Sequence, residues 1–212
     1  MKRVVFALVI AWFVPTLSFA AGSSTLDFFT HGDASVGATK ATTCFACHGL
    51  EGNGSTNPAW PKLAGQNSAY TYEQLKAFKS HQRTNPIMQA QAAQLSDQDM
   101  RNLAAYFASQ PVVPGVVSKA AVAIAQPLYR GGDLKRHIPA CAACHGPSGK
   151  GNPAVKYPRL DGQNPGYVAT QMTAFKNGTR GSEGPGQIMQ TVASQLTDKE
   201  IQALASYVSG LQ

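Results

Sequence analysis

Residues 44–48 read Cys-Phe-Ala-Cys-His, and residues 141–145 read Cys-Ala-Ala-Cys-His. The spacing Cys-x-x-Cys-His is the attachment signature of c-type haem. Two thiols one helical turn apart can bond to the two vinyl groups of one porphyrin, and the adjacent histidine can bind its iron. The sequence therefore predicts two covalently attached haem c groups. The predicted haem-binding residues are Cys44, Cys47 and His48 in the first copy and Cys141, Cys144 and His145 in the second.

Two other uses of paired cysteines compete with haem attachment. Four cysteines in Cys-x-x-Cys pairs could form a zinc site, or each pair could be a redox dithiol. Neither use requires a histidine directly after both pairs. A dithiol is also expected within a thioredoxin-like βαβ pattern, which the sequence does not show. Haem attachment is the favoured interpretation.

The N-terminus resembles an export signal. Lys2 and Arg3 precede the apolar run 4–14, and Ser18-Phe19-Ala20 supplies the small residues of a cleavage site. A membrane anchor is the alternative, but Pro15 interrupts the run, which is short for a span of about 20 residues. We predict a cleaved signal peptide over residues 1–20, a periplasmic mature chain beginning at Ala21, and no transmembrane segment in that chain.

The chain contains an internal repeat. An offset of 97 residues superimposes the two motifs and the segments that follow them, and after a four-residue insertion the offset becomes 101. Equivalent positions include Gly49/Gly146, Gly52/Gly149, Leu63/Leu160, Gln66/Gln163, Met88/Met189 and Leu103/Leu204. The connector Pro111-Val112-Val113-Pro114-Gly115 is short and stiff. The predicted organisation is an N-terminal domain over 21–110, a linker over 111–118 and a C-terminal domain over 119–212.

Helical periodicity dominates both copies, and no strand pattern is convincing. Three helices are predicted per copy; in the first copy, one enters the Cys-x-x-Cys-His motif, one runs through 70–79 and one covers about 97–109. Ser96 and Thr197 are predicted N-caps of the last helix in each copy, with acidic residues in the first turn. The Gly- and Pro-rich stretches between helices are predicted to be loops. The fold class is all-α.

The sixth iron ligand decides whether a haem site is closed or open to ligand chemistry. Met88 and Met189 are equivalent across the repeat and follow the second predicted helix, whereas Met100 aligns with Ile201 and Met172 with Leu75. A ligand should be present twice, so Met100 and Met172 are interpreted as core residues. The sequence predicts ligation of one iron by His48 and Met88 and of the other by His145 and Met189.

Histidine could also fill the sixth position. His137 aligns with Lys40, His81 has no counterpart in the second copy, and His31 precedes the repeat. Unpaired polar residues are mostly exposed, so all three are predicted to be surface residues.

These motifs, together with Pro-Lys-Leu-Ala-Gly-Gln at 61–66 and Leu-Ser-Asp-Gln-Asp-Met-Arg-Asn-Leu-Ala-Ala-Tyr-Phe at 95–107, resemble the dihaem cytochrome c4 family over almost the whole mature chain. The resemblance implies two class I cytochrome c domains about a pseudo-twofold axis, with haem propionates facing one another. It also implies a periplasmic one-electron carrier, free or loosely membrane-associated. Its expected partners are a quinol-oxidising cytochrome bc complex or similar donor and a terminal oxidase or similar acceptor.

Charge adds a hypothesis about partners. The formal charge is +7, which becomes +5 without Lys2 and Arg3, and all of that excess lies in residues 111–212. The C-terminal half could therefore dock the more acidic partner. Lys62 and the equivalent Arg159 are hypothesised to lie near the propionate edges of the haems. No basic run with interleaved aromatic residues occurs, so nucleic-acid binding is not indicated.

Two other functions remain as alternatives. A non-catalytic electron-transfer subunit of a larger oxidoreductase would use the same domains. A dihaem peroxidase needs one haem with an open or displaceable sixth position, whereas both copies present the same ligand pattern. No catalytic residue is predicted, and a soluble electron carrier is the first choice.

Overall fold

The computed structural model describes residues 26–54, 57–182 and 184–211. The predicted signal peptide over 1–20 and the predicted start at Ala21 lie outside the described residues. Among the described residues, no helix has the length and apolar character needed to cross a membrane.

Ten α-helices occur in the described part of the chain, five in each half. The N-terminal half contains α1 (Ala34–Ala41), α2 (Phe45–His48), α3 (Ser68–Lys79), α4 (Pro86–Ala93) and α5 (Asp97–Ser109). The C-terminal half contains α6 (Lys119–Gly131), α7 (Cys141–His145), α8 (Pro165–Lys176), α9 (Pro185–Ser194) and α10 (Asp198–Ser209). Only isolated bridges and no extended strands occur within the described ranges. The predicted all-α class is confirmed.

The segments that carry the two predicted methionine ligands are helical, which corrects their prediction as loops. The side chain of Asn85 caps α4 by accepting a hydrogen bond from the Met88 backbone N–H at 3.0 Å, and Pro86 occupies the first turn. In the second copy, Gly184 precedes Pro185 at the start of α9. Proline, taken as a loop signal, begins a helix here because it lacks only an N–H that the first turn leaves unpaired, and Asn85 is a favourable N-cap.

The prediction of a helix entering the motif holds for the first copy only. There α1 continues through a 3₁₀ turn over Thr42–Cys44 directly into α2. In the second copy, α6 ends well before Cys141 at Gly132, which has a φ of 70°. A Cβ on Gly132 would lie 2.3 Å from the Ile138 carbonyl oxygen, so the chain turns there as only glycine easily can.

Both predicted N-caps are confirmed as capping boxes. The Ser96 hydroxyl accepts from the Asp99 N–H at 3.1 Å, and the Asp99 carboxylate accepts from the Ser96 N–H at 3.0 Å. Thr197 and Glu200 form the same pair at 3.3 Å and 2.8 Å. These bonds satisfy N–H groups at the helix start and place a negative charge at its positive end.

The first and last helices of each half pack together, α1 on α5 and α6 on α10. Gly37 lets α1 approach α5 closely, since a Cβ there would lie 2.1 Å from the Asn102 carbonyl oxygen. Helices α3 and α8 pack on α5 and α10 respectively. Each half therefore places its motif beside a small helical core.

The two halves meet in reciprocal contacts. The Gln66 side chain donates to the Arg159 carbonyl oxygen at 2.9 Å and accepts from its N–H at 2.8 Å. Gln163 makes the same pair with Lys62, at 2.9 Å and 2.7 Å. Because these residues are equivalent at an offset of 97, the same surface is used on both sides, as in a twofold-symmetric interface. The predicted pseudo-twofold arrangement follows from these contacts.

Hydrogen bonds hold the connector between the halves, residues 111–115, in place. Asn53 donates to the Pro111 carbonyl oxygen and accepts from the Val113 N–H, both at 2.9 Å. The Gly115 N–H donates to the Ser209 carbonyl oxygen at 2.9 Å. The connector is thus fastened to both halves, which restricts their relative motion.

Candidate haem sites

The motif histidines are buried and held in one orientation. His48 and His145 are each 8% exposed. Nδ1 of His48 lies 2.9 Å from the Pro61 carbonyl oxygen, and Nδ1 of His145 lies 3.0 Å from that of Pro158. A carbonyl oxygen only accepts, so Nδ1 carries the proton and Nε2 keeps the lone pair that a metal can bind. These hydrogen bonds leave Nε2 of both imidazoles available to bind iron.

Glycines in the segment after each motif bring that carbonyl into place. Gly49 has a φ of 77°, and a Cβ on it would lie 1.9 Å from the Gly54 carbonyl oxygen. The Gly54 N–H donates to the His48 carbonyl oxygen at 2.8 Å, and the Leu63 N–H donates to Gly52 at 2.7 Å. The second copy repeats these bonds at Gly151 and Leu160, at 2.8 Å and 2.7 Å. The chain therefore folds back over each histidine.

Burial shifts the pKa values of the motif side chains. It lowers the pKa of His48 and of His145, while their hydrogen bonds to proline carbonyls act in the opposite direction. The neutral imidazole is the form that binds a metal. Burial also raises the pKa of Cys44 and raises that of Cys141 to about 11. Reactive dithiols show the reverse shift, which argues against a redox dithiol.

A cavity of about 1270 Å³ runs between the halves and is lined by both motifs. It exceeds the roughly 300–1,000 Å³ typical of a site for one small molecule. Apolar side chains such as Phe78, Leu75 and Phe175 form much of its wall. The predicted site residues that line it are Cys44, Cys47, His48, Met88, Cys141, Cys144, His145 and Met189. Paired thiols, oriented imidazoles, thioethers and apolar walls fit two covalently attached haems.

The two repeat-equivalent methionines are half-buried at this cavity. Met88 lies in the first turn of α4, and Met189 lies in the first half of α9. Met100 is only 3% exposed and Met172 packs against the C-terminal core, as predicted, although both also reach the cavity.

The other histidines of the described chain are on the surface. His31, His81 and His137 are exposed, and none of them lines the cavity. Their prediction as surface residues is confirmed.

Both cations that were hypothesised to lie near the propionates, Lys62 and Arg159, line the cavity. The Lys62 ammonium donates to the Val113 carbonyl oxygen at 2.6 Å, and Arg159 pairs with Asp161 at 2.5 Å. Sequence reasoning did not single out Arg83 and Arg180, whose side chains line the same cavity. These two are also equivalent at the offset of 97, so the repeat could have identified them.

Comparison with known proteins identifies the domains. The family model described as Cytochrome c matches residues 36–111 and 135–212. The chain is 45% identical to cytochrome c4 of Pseudomonas aeruginosa over 180 residues, which cover 85% of this chain and 89% of that protein. It is 38% identical to the thiosulfate dehydrogenase electron acceptor of Stutzerimonas stutzeri, covering 81% and 80% of the two chains. The crystal structure of reduced recombinant cytochrome c4 from Pseudomonas stutzeri superimposes with a TM-score of 0.82 at 41% identity, covering 85% of this chain and all of that one.

Both Cys-x-x-Cys-His motifs lie inside the matched ranges. Two covalently attached haem c groups, predicted from the motifs, are confirmed, and so are the two tandem cytochrome c domains. The zinc and dithiol interpretations are thereby replaced. An electron-transfer role follows from the same matches, and the chain belongs to the dihaem cytochrome c4 proteins of the cytochrome c family.

Proposed function

We propose that this protein is a periplasmic carrier of single electrons. It receives them from a quinol-oxidising cytochrome bc complex or a similar donor and delivers them to a terminal oxidase or a similar acceptor. The observation that carries this proposal is the equivalence of the two sites: each has a buried, oriented histidine and a methionine at the same repeat position, facing one cavity. Two sites with the same proposed ligand pattern suit reversible electron transfer, whereas a haem enzyme would need one site with an open position for substrate.

Each proposed site residue has a defined task. The four motif cysteines would attach the porphyrins, His48 and His145 would bind iron through Nε2, and Met88 and Met189 would supply a thioether sulfur to it. Bound haem c supplies an iron that changes between ferric and ferrous states. The chain orients the imidazole through its Nδ1–H bond to a proline carbonyl, and its apolar walls exclude water.

The proposed processing and domain boundaries follow the sequence. Residues 1–20 are the cleaved signal peptide, 21–110 and 119–212 are the two domains, and 111–118 is the linker. The tethering of Pro111 and Val113 by Asn53 supports a linker that holds the domains in one arrangement.

A second candidate is an electron-transfer subunit of a larger oxidoreductase. The similarity to the thiosulfate dehydrogenase electron acceptor of Stutzerimonas stutzeri favours it. Size-exclusion chromatography of the native protein from a periplasmic extract distinguishes the two. Elution at the size of the free chain supports the carrier, and stable co-elution with a second polypeptide supports the subunit. A dihaem peroxidase is the least favoured alternative.

The ligand assignment is tested by the weak near-infrared sulfur-to-iron band of the oxidised holoprotein. The wild-type protein should show the intensity of two methionine-ligated haems. Met88→Ala and Met189→Ala should each remove half of it, because each removes one thioether from iron. Met100→Leu and Met172→Leu are matched controls that should retain the full band. A full band in either alanine variant would contradict the assignment, and a missing band in the wild-type protein would favour a haem enzyme.

A further inference from the structure

Six polar side chains from the two halves meet at the central cavity and are here called the interface cluster. They form two equivalent sets at the offset of 97: Tyr70, Gln74 and Arg83, and Tyr167, Gln171 and Arg180. Since the sets come from different halves, the cluster exists only when the halves are docked.

Each arginine of the interface cluster binds its own half and reaches across to the other. Arg83 donates through Nη1 to Gln74 at 2.7 Å and through Nη2 to Tyr167 and Gln171, both at 3.0 Å. Arg180 mirrors it, with a bond to Gln171 at 2.7 Å and bonds to Tyr70 at 2.8 Å and Gln74 at 3.3 Å. The two guanidinium groups therefore share Gln74 and Gln171 as acceptors, one from each half.

Aromatic rings fix the plane of each guanidinium group. The central carbon of Arg83 lies 4.5 Å from the centroid of the Phe78 ring, and that of Arg180 lies 4.6 Å from the Phe175 ring. Both rings line the cavity. A stacked guanidinium keeps its planar fork of donors in a set orientation, as bidentate binding of a carboxylate requires.

No carboxylate among the described residues balances the charge of the interface cluster. Among the described half-buried arginines, Arg101, Arg136 and Arg159 each pair with a carboxylate. Arg83 and Arg180 meet only amide and phenol oxygens in the bonds that the described chain provides. Two like charges beside one apolar cavity are costly without an anion. Burial acts to raise the pKa of Tyr167, but both guanidinium groups outweigh it and lower that pKa, which reflects the positive potential.

We propose that Arg83 and Arg180 form one shared carboxylate-binding site for the propionates of both haems, and that each arginine sets the reduction potential of both. The proposal rests on the assignment of two haems to this cavity. The propionates are the anionic groups of haem, and a buried guanidinium is the complementary donor. A cation favours the ferrous state, which is the less positive one, so both arginines raise the potentials. Because each arginine lies between the two halves, its charge acts on both sites.

Spectroelectrochemical titration of the holoprotein tests this proposal by giving two reduction potentials for each variant. Arg83→Gln removes the charge but keeps a polar side chain. We expect the equilibrium constant for reduction to fall about tenfold at one haem, which is 59 mV for a one-electron couple, and about threefold at the other, because Coulomb energy decays with distance. Arg180→Gln should give the mirror-image result. Arg83→Lys should restore most of both shifts, since it keeps the charge.

Arg101→Gln is the matched control, because Arg101 stacks on Tyr72 at 4.5 Å but is paired with Asp97 and does not line the cavity. It should change both equilibrium constants less than twofold. Unchanged potentials in both Gln variants would reject the carboxylate site, and a shift at only one haem would reject its sharing. Equal shifts in Arg83→Lys and Arg83→Gln would indicate packing and not charge.

If the Gln variants do not yield holoprotein, Arg83→Lys is compared with the wild-type protein. Because lysine keeps the charge but loses the planar fork, Arg83→Lys should lower the equilibrium constant for reduction about twofold at the more affected haem and less than twofold at the other. No change at either haem would overturn the proposal. A wrong methionine assignment would be detected separately, because the wild-type protein would then lack the near-infrared band. The reduction potentials of the arginine variants could still be compared with those of the wild-type protein.

Discussion

The two halves share one motif, one helix order and one interface, yet they differ in their cores. Among the described residues, fourteen buried ones form a continuous apolar cluster in the C-terminal half, whereas the buried members of the N-terminal cluster are Ala41, Leu103 and Phe107. Counting only described residues larger than alanine, nine buried apolar side chains lie in the C-terminal half and four in the N-terminal half. The repeat therefore preserves the residues of the haem sites but not the number of large buried side chains in the two cores.

The first helix of each half accounts for much of this difference. Helix α6 buries Leu128 and Tyr129, and the Tyr129 hydroxyl donates to the Gly146 carbonyl oxygen at 2.7 Å. The shorter α1 buries only Gly37 and Ala41. A small domain with few large buried side chains gains much of its stability from whatever else completes the core. We infer that haem is a larger share of the core in the N-terminal half.

Removal of one haem at a time gives the largest expected effect. Cys44→Ala with Cys47→Ala should unfold most of the N-terminal half and remove up to about half of the helical circular dichroism, since the described helices divide almost equally between the halves. Cys141→Ala with Cys144→Ala should remove clearly less, because α6 and α10 keep a continuous apolar cluster. Far-UV circular dichroism at equal protein concentration measures both losses.

A pyridine haemochrome assay should confirm one haem per chain in each of these double variants. Equal losses of helix would show that the smaller N-terminal cluster is sufficient by itself. A larger loss in the C-terminal variant would reverse the inference.

At the interface, we expect equivalent residues of the two halves to contribute equally to stability. Gln66 and Gln163 are 8% and 7% exposed, and each satisfies a backbone N–H and carbonyl of the opposite half. Removing the partner of a buried polar group costs about 1–3 kcal/mol. Gln66→Ala and Gln163→Ala should therefore each lower the free energy of unfolding of the holoprotein by that amount.

Denaturant titration of both variants gives the comparison. Gln202→Ala, at an exposed position of α10, is the control, and surface changes of this kind usually stay within about 0.5 kcal/mol. A cost confined to one of the two buried glutamines would mean that the interface is less symmetric than its hydrogen bonds.

Local signals predicted much of this architecture. The motif spacing and the capping residues Ser96 and Thr197 depend on residues a few positions away, so the sequence reveals them. The repeat offset is found by comparing the two halves of the sequence directly. The end of α6 at Gly132 depends on a close approach to Ile138, and the pairing of Arg83 with Tyr167 depends on docking of the halves. The hypothesis that Lys62 and Arg159 lie near the propionates stays a prediction, and the partners that both side chains find within the chain had no signal in the sequence. Tertiary contacts of this kind have no local signature.

Acid stability gives the smallest expected difference between the halves. Asp99 and Glu200 occupy equivalent capping boxes; Lys40 holds the pKa of Asp99 down to about 2, and Arg136 does so for Glu200, also to about 2. A folded pKa below the unfolded value means that each ion pair stabilises the fold above the unfolded pKa, and this stability is lost as the pH falls toward 2.

The Arg136 pair is bidentate, at 2.7 Å and 3.0 Å, whereas Lys40 makes one contact at 2.8 Å. Both pairs are partly solvated, so Glu200→Gln should cost at most about 1 kcal/mol at pH 7, and Asp99→Asn less. Both variants keep a capping side chain, so unfolding titrations at pH 7 and pH 3 isolate the charge; an unaltered pH dependence in Glu200→Gln would show that the Arg136 pair contributes no net stability.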